Sequence, residues 1–284
     1  MNIIITGATG FIGKNLYSDL KKNKKYNLFR ILRKKNICTK NDLYYEGNIN
    51  NLIEYFDKIK PKVVIHLATY YVSQHKYTDI NDLVQSNELF TNQILEAMKI
   101  SGTKDIIYTT TRWQNYYSRN SFPLNLYATH KENCLNLIKF YKNHYKMNYI
   151  DLRLSDTIGK NDHRKKIFYF IKNYKKKEPF PMTKGDQLIY LTHIEDIISS
   201  IKISLNYLIN GKYINKTYSV FPEKPVRLKS LVKKYVSLNN FKIKIDWGSL
   251  PQKKFEILQD NKIYPRLYGW RPKINLSKAL KNIK

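Results

Sequence analysis

Tyr127 and Lys131 stand four residues apart in Leu126-Tyr127-Ala128-Thr129-His130-Lys131, so a helix through this stretch presents both on one face. A phenol titrates near pH ~10 when unperturbed. A neighbouring ammonium favours the phenolate and draws that value toward neutrality. Such a pair can give a proton to a sugar oxygen, or take one from it, during hydride transfer. Upstream, Ile106-Ile107-Tyr108 runs into Thr109-Thr110-Thr111 and then Arg112-Trp113. Hydroxyls at the end of a buried strand can orient a carbonyl oxygen, and Thr111 is taken for that role. A third group lies near the start, where Thr6-Gly7-Ala8-Thr9-Gly10-Phe11-Ile12-Gly13 fills a strand-to-helix turn. Glycines spaced in this way allow a tight turn, a close backbone approach to a pyrophosphate, and helix-on-strand packing, with free helix N–H groups facing the phosphates. The second strand ends Ile31-Leu32-Arg33-Lys34-Lys35, with no carboxylate for a ribose 2′-hydroxyl. Cations there suit a 2′-phosphate, which favours NADP(H) over NAD(H) as cofactor.

These groups need a scaffold, and the hydropathy pattern supplies one. Apolar strand-like runs at Asn2–Ile5, Tyr26–Leu32, Lys62–Leu67, Asp105–Thr109 and Asn148–Leu154 alternate with helical spacing at Gly13–Lys22, Asn51–Ile59, Asp82–Ile100 and Leu126–Tyr145. Strands that are apolar on both faces and separated by helices imply a doubly wound parallel α/β sheet of Rossmann type. After Leu154 the rhythm breaks. A strand-like piece at Leu188–Leu191 leads into a helix at Glu195–Leu208, and the tail carries five of the nine prolines. The expected division is a dinucleotide domain at 1–157 and about 188–212, with a small substrate lobe at about 158–187 and 213–284.

Composition narrows the class. The chain has 284 residues and a formal net charge of +29, but nine of its basic residues are arginine and 42 are lysine, spread along the chain. That distribution reads as solvated surface rather than a nucleic-acid stripe. No apolar run reaches the length of a membrane span, and the start lacks the features of a signal peptide. Cys38 and Cys134 form no framework, and a reducing cytoplasm is expected. The six histidines show no metal-ligand spacing, so no metal site is expected.

Together, TGATGFIG, His66-Leu67-Ala68, the threonines at 109–111 and YATHK at 127–131 resemble the extended short-chain dehydrogenase/reductases, the NAD-dependent epimerase/dehydratase family. Further matches are Arg153-Leu154-Ser155-Asp156-Thr157-Ile158-Gly159, His193-Ile194-Glu195-Asp196 and Gly269-Trp270-Arg271-Pro272. Length and layout are most similar to the 4-keto-hexose reductases of CDP-linked dideoxysugar pathways, the abequose and paratose synthases. The resemblance implies a nucleotide-diphosphate sugar as substrate and a homodimer paired through the fourth and fifth helices. It implies cofactor contacts at Gly7, Gly10, Phe11, Ile12, Gly13, Arg33, Asn48, Ile49, Leu67, Ala68, Asn87, Tyr127, Lys131 and Leu154, with His66 bordering the cofactor. Substrate contacts are expected from Asp156 and Lys253; Trp113 reads either as core or as a wall of the sugar pocket, and His163 either as a contact to the substrate diphosphate or as part of a solvated loop. The chain departs from the family pattern in several places. Asn48 stands for an Asp, Phe90 for a Gly, Asp156 for an Asn, and Ile189-Tyr190 for an Arg-Asp.

The family's 4,6-dehydratases carry Asp-Glu after the strand-end hydroxyl. Here no register after Thr109, Thr110 or Thr111 supplies a carboxyl. Arg112 and Trp113 instead suit a pocket for an already dehydrated keto sugar beside a diphosphate. The reading is an NAD(P)-dependent reductase of a nucleotide-linked 4-keto-6-deoxyhexose in surface-glycan sugar biosynthesis. Tyr127 would donate the proton, Lys131 would tune it and hold the nicotinamide ribose, and Thr111 would orient the carbonyl. The alternatives are a sugar-nucleotide epimerase using the same residues and a non-catalytic NAD(P)-binding protein.

Overall fold

The computed structural model describes all residues except 116–121, 161, 163, 165, 253–255, 259–263, 282 and 284. His163 and Lys253 therefore lie outside the described residues.

The chain begins β1 (Asn2–Thr6), α1 (Phe11–Leu20), β2 (Asn27–Leu32), β3 (Asp42–Tyr44), α2 (Ile49–Ile59) and β4 (Val63–His66). A continuous helical stretch follows: α3 (Ile80–Leu83), a π-helical turn at Val84–Leu89, and α4 (Phe90–Ser101). Next come β5 (Asp105–Thr111), α5 (Leu126–Tyr145), β6 (Asn148–Leu154), β7 (Asp156–Ile158), α6 (Ile167–Lys172), β8 (Phe180–Met182), β9 (Leu188–Ile189), β10 (Leu191–His193) and α7 (Ile194–Ile209). The chain closes with β11 (Lys216–Val220), β12 (Val226–Arg227), α8 (Leu228–Leu238), β13 (Ile245–Trp247) and α9 (Leu276–Lys281).

Seven strands form one parallel sheet in the order β11-β6-β5-β4-β1-β2-β3. The order reverses between β1 and β4, and such a switch point opens a crevice at the carboxyl ends of the strands. The strands are apolar on both sides because both sides are covered. Ile3, Ile5, Val63, Ile65 and Ile107 pack with Leu16 of α1 and Ile197, Ile201 and Leu205 of α7. Their chain neighbours Ile4, Val64, Ile106 and Tyr108 pack with Phe56 of α2, Met98 of α4 and Ile138 of α5. A third core is built on Ile158, Phe168, Met182, Leu231 and Tyr235, and none of its buried residues comes from the seven-stranded sheet.

The structure corrects several expectations. β5 runs two residues further than Asp105–Thr109, so Thr110 and Thr111 pair with Arg153 and Leu154. β11 extends the sheet beyond β6, so the boundary expected at 213 cuts through the sheet. Leu188 and Ile189 pair antiparallel with Arg227 and Val226, apart from the seven-stranded sheet. The helix expected at Asp82–Ile100 contains the π-helical turn, in which Asn87 is buried. Among the described residues no helix is long and apolar enough to cross a membrane, and no group of side chains has metal-site geometry.

Candidate active site

α5 opens where Asn125 caps it: Asn125 Oδ1 accepts from Ala128 N at 3.0 Å, and Asn125 Nδ2 donates to the Ser73 carbonyl at 2.9 Å. Tyr127 thus sits in the first helical turn, with Lys131 one turn further, and both line a large cleft at the sheet's switch point. Lys131 is 2% exposed and its ammonium lies over the Tyr108 ring, 4.6 Å from the centroid. Burial lowers its pKa to about 8, against smaller opposing effects of Cys134 and Asp151. Burial also pushes the Tyr127 phenol up to about 12, opposed by a hydrogen bond with Thr69. In the protein alone, desolvation therefore outweighs the pull toward neutrality expected from the lysine. At neutral pH both groups hold their protons.

Thr69 is itself held in place by Asn87. Asn87 Nδ2 donates to the Tyr70 carbonyl (3.1 Å) while Asn87 Oδ1 accepts from Tyr70 N and Thr69 Oγ1 (2.8 Å each). An amide oxygen cannot donate, so the Thr69 proton is committed to Asn87.

The three threonines divide. Thr110 turns away from Thr109 and Thr111, as strand alternation requires. Its hydroxyl donates to Asp151 Oδ2 at 2.8 Å and accepts from Arg153 Nε at 3.2 Å. Thr111 caps a 3-10 turn at Arg112–Gln114: its Oγ1 accepts from Trp113 N at 3.3 Å, and its N–H donates to Gln114 Oε1 at 2.8 Å. Gln114 is buried and also donates to Glu132 of α5, tying the strand end to the helix that carries Lys131. As an acceptor here, Thr111 keeps its own proton to give. Trp113 lines the cleft. Arg112 does not: it is buried, with its guanidinium 4.3 Å from the Tyr190 ring centroid. The expectation that Arg112 would face a substrate is corrected, because the 3-10 turn swings it behind the wall that Trp113 forms.

The glycine loop fits a dinucleotide. Gly7 has φ +65°, and a Cβ there would stand 2.6 Å from Ala68 N, while one on Gly13 would stand 2.1 Å from the Gly7 carbonyl oxygen. Only glycine allows these segments to close so tightly beneath the α1 N-terminus. Leu67 N and Ala68 N both donate to Thr6 Oγ1 at 3.1 Å, so Thr6 gives its own proton to His66 Nδ1 at 2.7 Å. That puts the imidazole proton on Nε2, which faces Thr91 Oγ1 at 2.9 Å, and Thr91 in turn donates to the Asn87 carbonyl at 2.5 Å. Burial, then Lys131, holds the His66 pKa down to about 3, so the ring stays neutral. His66 is fully buried and does not border the cleft; it pins β1, β4 and the start of α4 together.

The other expected cofactor residues fall in two groups. Phe11, Ile12, Gly10, Arg33, Leu67, Ala68 and Leu154 line the cleft, and Arg33 donates to Ser86 Oγ at 3.1 Å from an exposed position. Asn48 and Ile49 are not among the lining residues. Asn48 is instead spent on capping α2, accepting from Asn50 N at 2.9 Å. Asn87 is buried behind the lining and acts through Thr69 and Tyr70. Asp156 also lines the cleft, as do Arg164 and Lys166, which the sequence reading did not single out. Arg164 pairs with Asp162 at 2.6 Å and lies 4.3 Å from the Phe11 ring centroid. Lys166 donates to the Thr157 carbonyl at 3.0 Å, and burial, then Arg164, lowers its pKa. Thr69 and Tyr71 were also missed. The signal available was their place, directly after β4 at the switch point.

A profile of the NAD dependent epimerase/dehydratase family matches residues 3–215. The chain is 28% identical over 239 residues to a CDP-abequose synthase of Yersinia pseudotuberculosis, covering 82% of each protein. It is 26% identical over 296 residues to a CDP-abequose synthase of Salmonella muenchen, covering 99% of this chain and 96% of that one. In fold it is similar to a UDP-glucuronic acid 4-epimerase of Bacillus cereus solved with UDP-glucuronic acid and NAD. That similarity has a TM-score of 0.81 at 20% identity and covers 100% of this chain and 98% of that one.

Proposed function

The chain belongs to the NAD dependent epimerase/dehydratase family, and on that premise we propose that it reduces the keto group of a nucleotide-linked 4-keto-6-deoxyhexose. One observation carries the reading. A hydroxyl, a phenol and an ammonium converge on the cleft at Thr111, Tyr127 and Lys131, and the turn after Thr111 offers no carboxyl. Hydride transfer needs those three groups, whereas elimination of water needs an added acid and base. The full-length similarity to CDP-abequose synthases supports a nucleotide sugar as substrate.

A bound nicotinamide dinucleotide supplies the hydride. The glycine loop, with Gly7, Gly10, Phe11, Ile12 and Gly13, receives its diphosphate, and Leu67, Ala68 and Leu154 flank it. Arg33 takes a 2′-phosphate, so NADPH is the preferred form. Lys131 holds the nicotinamide ribose and, as a cation beside Tyr127, lowers the cost of proton release. Thr111 donates to the sugar's carbonyl oxygen and orients it. Tyr127 then delivers its proton to that oxygen as it becomes a hydroxyl. A phenol held near 12 stays protonated at neutral pH, which suits an acid. Asp156, Arg164 and Lys166 face the nucleotide-sugar end, where two cations suit a diphosphate. Phe140, Tyr145 and Ile100 leave apolar surface on α4 and α5, which supports pairing of two copies through these helices.

The test supplies NADPH with CDP- or dTDP-4-keto-6-deoxyglucose, and separately NAD with the parent nucleotide glucose. Oxidation of NADPH in the first and no keto product in the second is the expected result. A protein that carries tightly bound NAD and interconverts hexoses without added reductant is an epimerase instead.

A further inference from the structure

Tyr71 and Trp113 are large aromatic side chains that neither of the sheet's cores nor the third core uses. Both line the cleft, and Tyr71 is 50% exposed. The Tyr71 ring meets Tyr127 edge to face, with centroids 5.0 Å apart and planes at 87°. The Trp113 indole lies 5.9 Å from Tyr71 at 42°. The two rings therefore make one continuous aromatic surface against the phenol assigned to proton delivery.

That surface is held from behind. The residue before Tyr71 is bonded to Asn87 through both its N–H and its carbonyl, and its hydroxyl donates to Asp79 at 2.8 Å. Two residues beyond Tyr71, the Ser73 carbonyl accepts from Asn125, the cap of α5. Trp113 N donates to Thr111, and the Trp113 carbonyl accepts from Leu124 N at 2.7 Å. Both rings thus sit on pinned backbone, so the wall is present before any ligand arrives, which reduces the ordering cost of binding.

Resting on the reading above, we propose that Tyr71 and Trp113 are the specificity-determining pair that reads the substituent at C6 of the sugar and selects a 6-deoxy substrate. When C4 is placed for attack beside Tyr127, C6 is only two bonds away and falls on the surface next to that phenol. A methyl group packs on aromatic carbon and loses water at a gain. A hydroxymethyl group would bring a hydroxyl against ring faces that accept a hydrogen bond only weakly, and burying a poorly paired hydroxyl is unfavourable. Rejection of an added hydroxyl by an apolar pocket is limited to roughly 10²-fold, so the expected selectivity is about 10- to 100-fold.

The experiment measures binding by calorimetry to the protein saturated with NADP⁺. The ligands are matched pairs of nucleotide 6-deoxyglucose and nucleotide glucose on CDP, dTDP, UDP and GDP carriers, with the bare nucleoside diphosphates as controls. On a carrier that binds, the 6-deoxy sugar should bind about 10- to 100-fold more tightly, and Tyr71→Ala and Trp113→Ala should each cut that ratio to about threefold or less. Unchanged affinity for the bare diphosphate shows that a variant is folded. Because Tyr71 is half exposed, its variant and the wild-type ratio still decide the matter if Trp113→Ala fails to fold. Equal binding of both sugars to the wild type, or a ratio that survives both substitutions, overturns the wall while leaving the sugar-nucleotide reading standing. Binding of no nucleotide sugar on any carrier overturns both.

Discussion

Lys131→Met isolates what this buried lysine costs the fold. Lys131 is almost fully buried, and its pKa falls from 10.5 to about 8, chiefly through burial. At about 1.4 kcal/mol per pH unit, holding this ammonium in the folded protein costs about 3 kcal/mol at neutral pH. Methionine matches the length of the stem without the charge, and loses the ammonium's contact with the Tyr108 ring, worth about 1 kcal/mol. The cofactor-free variant should therefore be about 2 kcal/mol more stable than wild type at pH 7, while losing activity. The pH dependence has a definite sign. The unfolded chain keeps the lysine proton up to 10.5 and the folded one releases it near 8, so wild type gains stability as pH rises between those values. The variant has no such gain, and its advantage should shrink by about 2 kcal/mol between pH 7 and pH 9.5. Urea unfolding at the two pH values reads this as midpoints at constant slope. A variant less stable than wild type at pH 7, or an advantage independent of pH, would refute the claim that Lys131 is held against its own solvation.

Three further outcomes follow from the same geometry. Tyr127→Phe keeps the ring against Tyr71 but removes the transferable proton, so turnover should drop by roughly 10²–10⁴ with cofactor affinity nearly intact; near-normal turnover would exclude Tyr127 as the acid. Arg33→Ala should abolish most of the preference for NADPH over NADH and leave NADH binding alone, since only the 2′-phosphate contact is lost; dissociation constants for both cofactors decide it. Gly13→Ala places a Cβ 2.1 Å from the Gly7 carbonyl, a backbone clash that should cost about 1–3 kcal/mol and weaken cofactor binding; a thermal-shift titration with NADPH showing wild-type affinity would contradict the cradle.

What the sequence disclosed depended on how local its causes were. The ends of α5 and β6 were legible because hydrophobic spacing and flanking polar residues are contained in the segment itself. β3 has three residues, and β11 reads Lys-Thr-Tyr-Ser-Val at a sheet edge, so neither presents a buried-strand run. Their pairing is visible only once β2 and β6 are in place. His66 looked like a cofactor neighbour, yet its partners Thr6 and Thr91 lie 60 and 25 residues away, and the chain between them decides its burial. Arg112 was misplaced for a related reason. Side-chain alternation assigns a face within β5 but fails at the 3-10 turn that begins after Thr111. The Tyr127–Lys131 spacing was plain, whereas the depth to which Lys131 is buried depends on Tyr108 and on α5 packing across the sheet.

The most direct test of the reductase assignment follows the hydrogen itself. The protein is incubated with NADPH deuterated at the transferred position of the nicotinamide and with the nucleotide-linked 4-keto-6-deoxyhexose, and the product is read by NMR and mass spectrometry. Reduction places one deuterium at C4 of the sugar for each NADPH consumed. A sugar that returns unlabelled, or turnover with no net loss of NADPH, would contradict it.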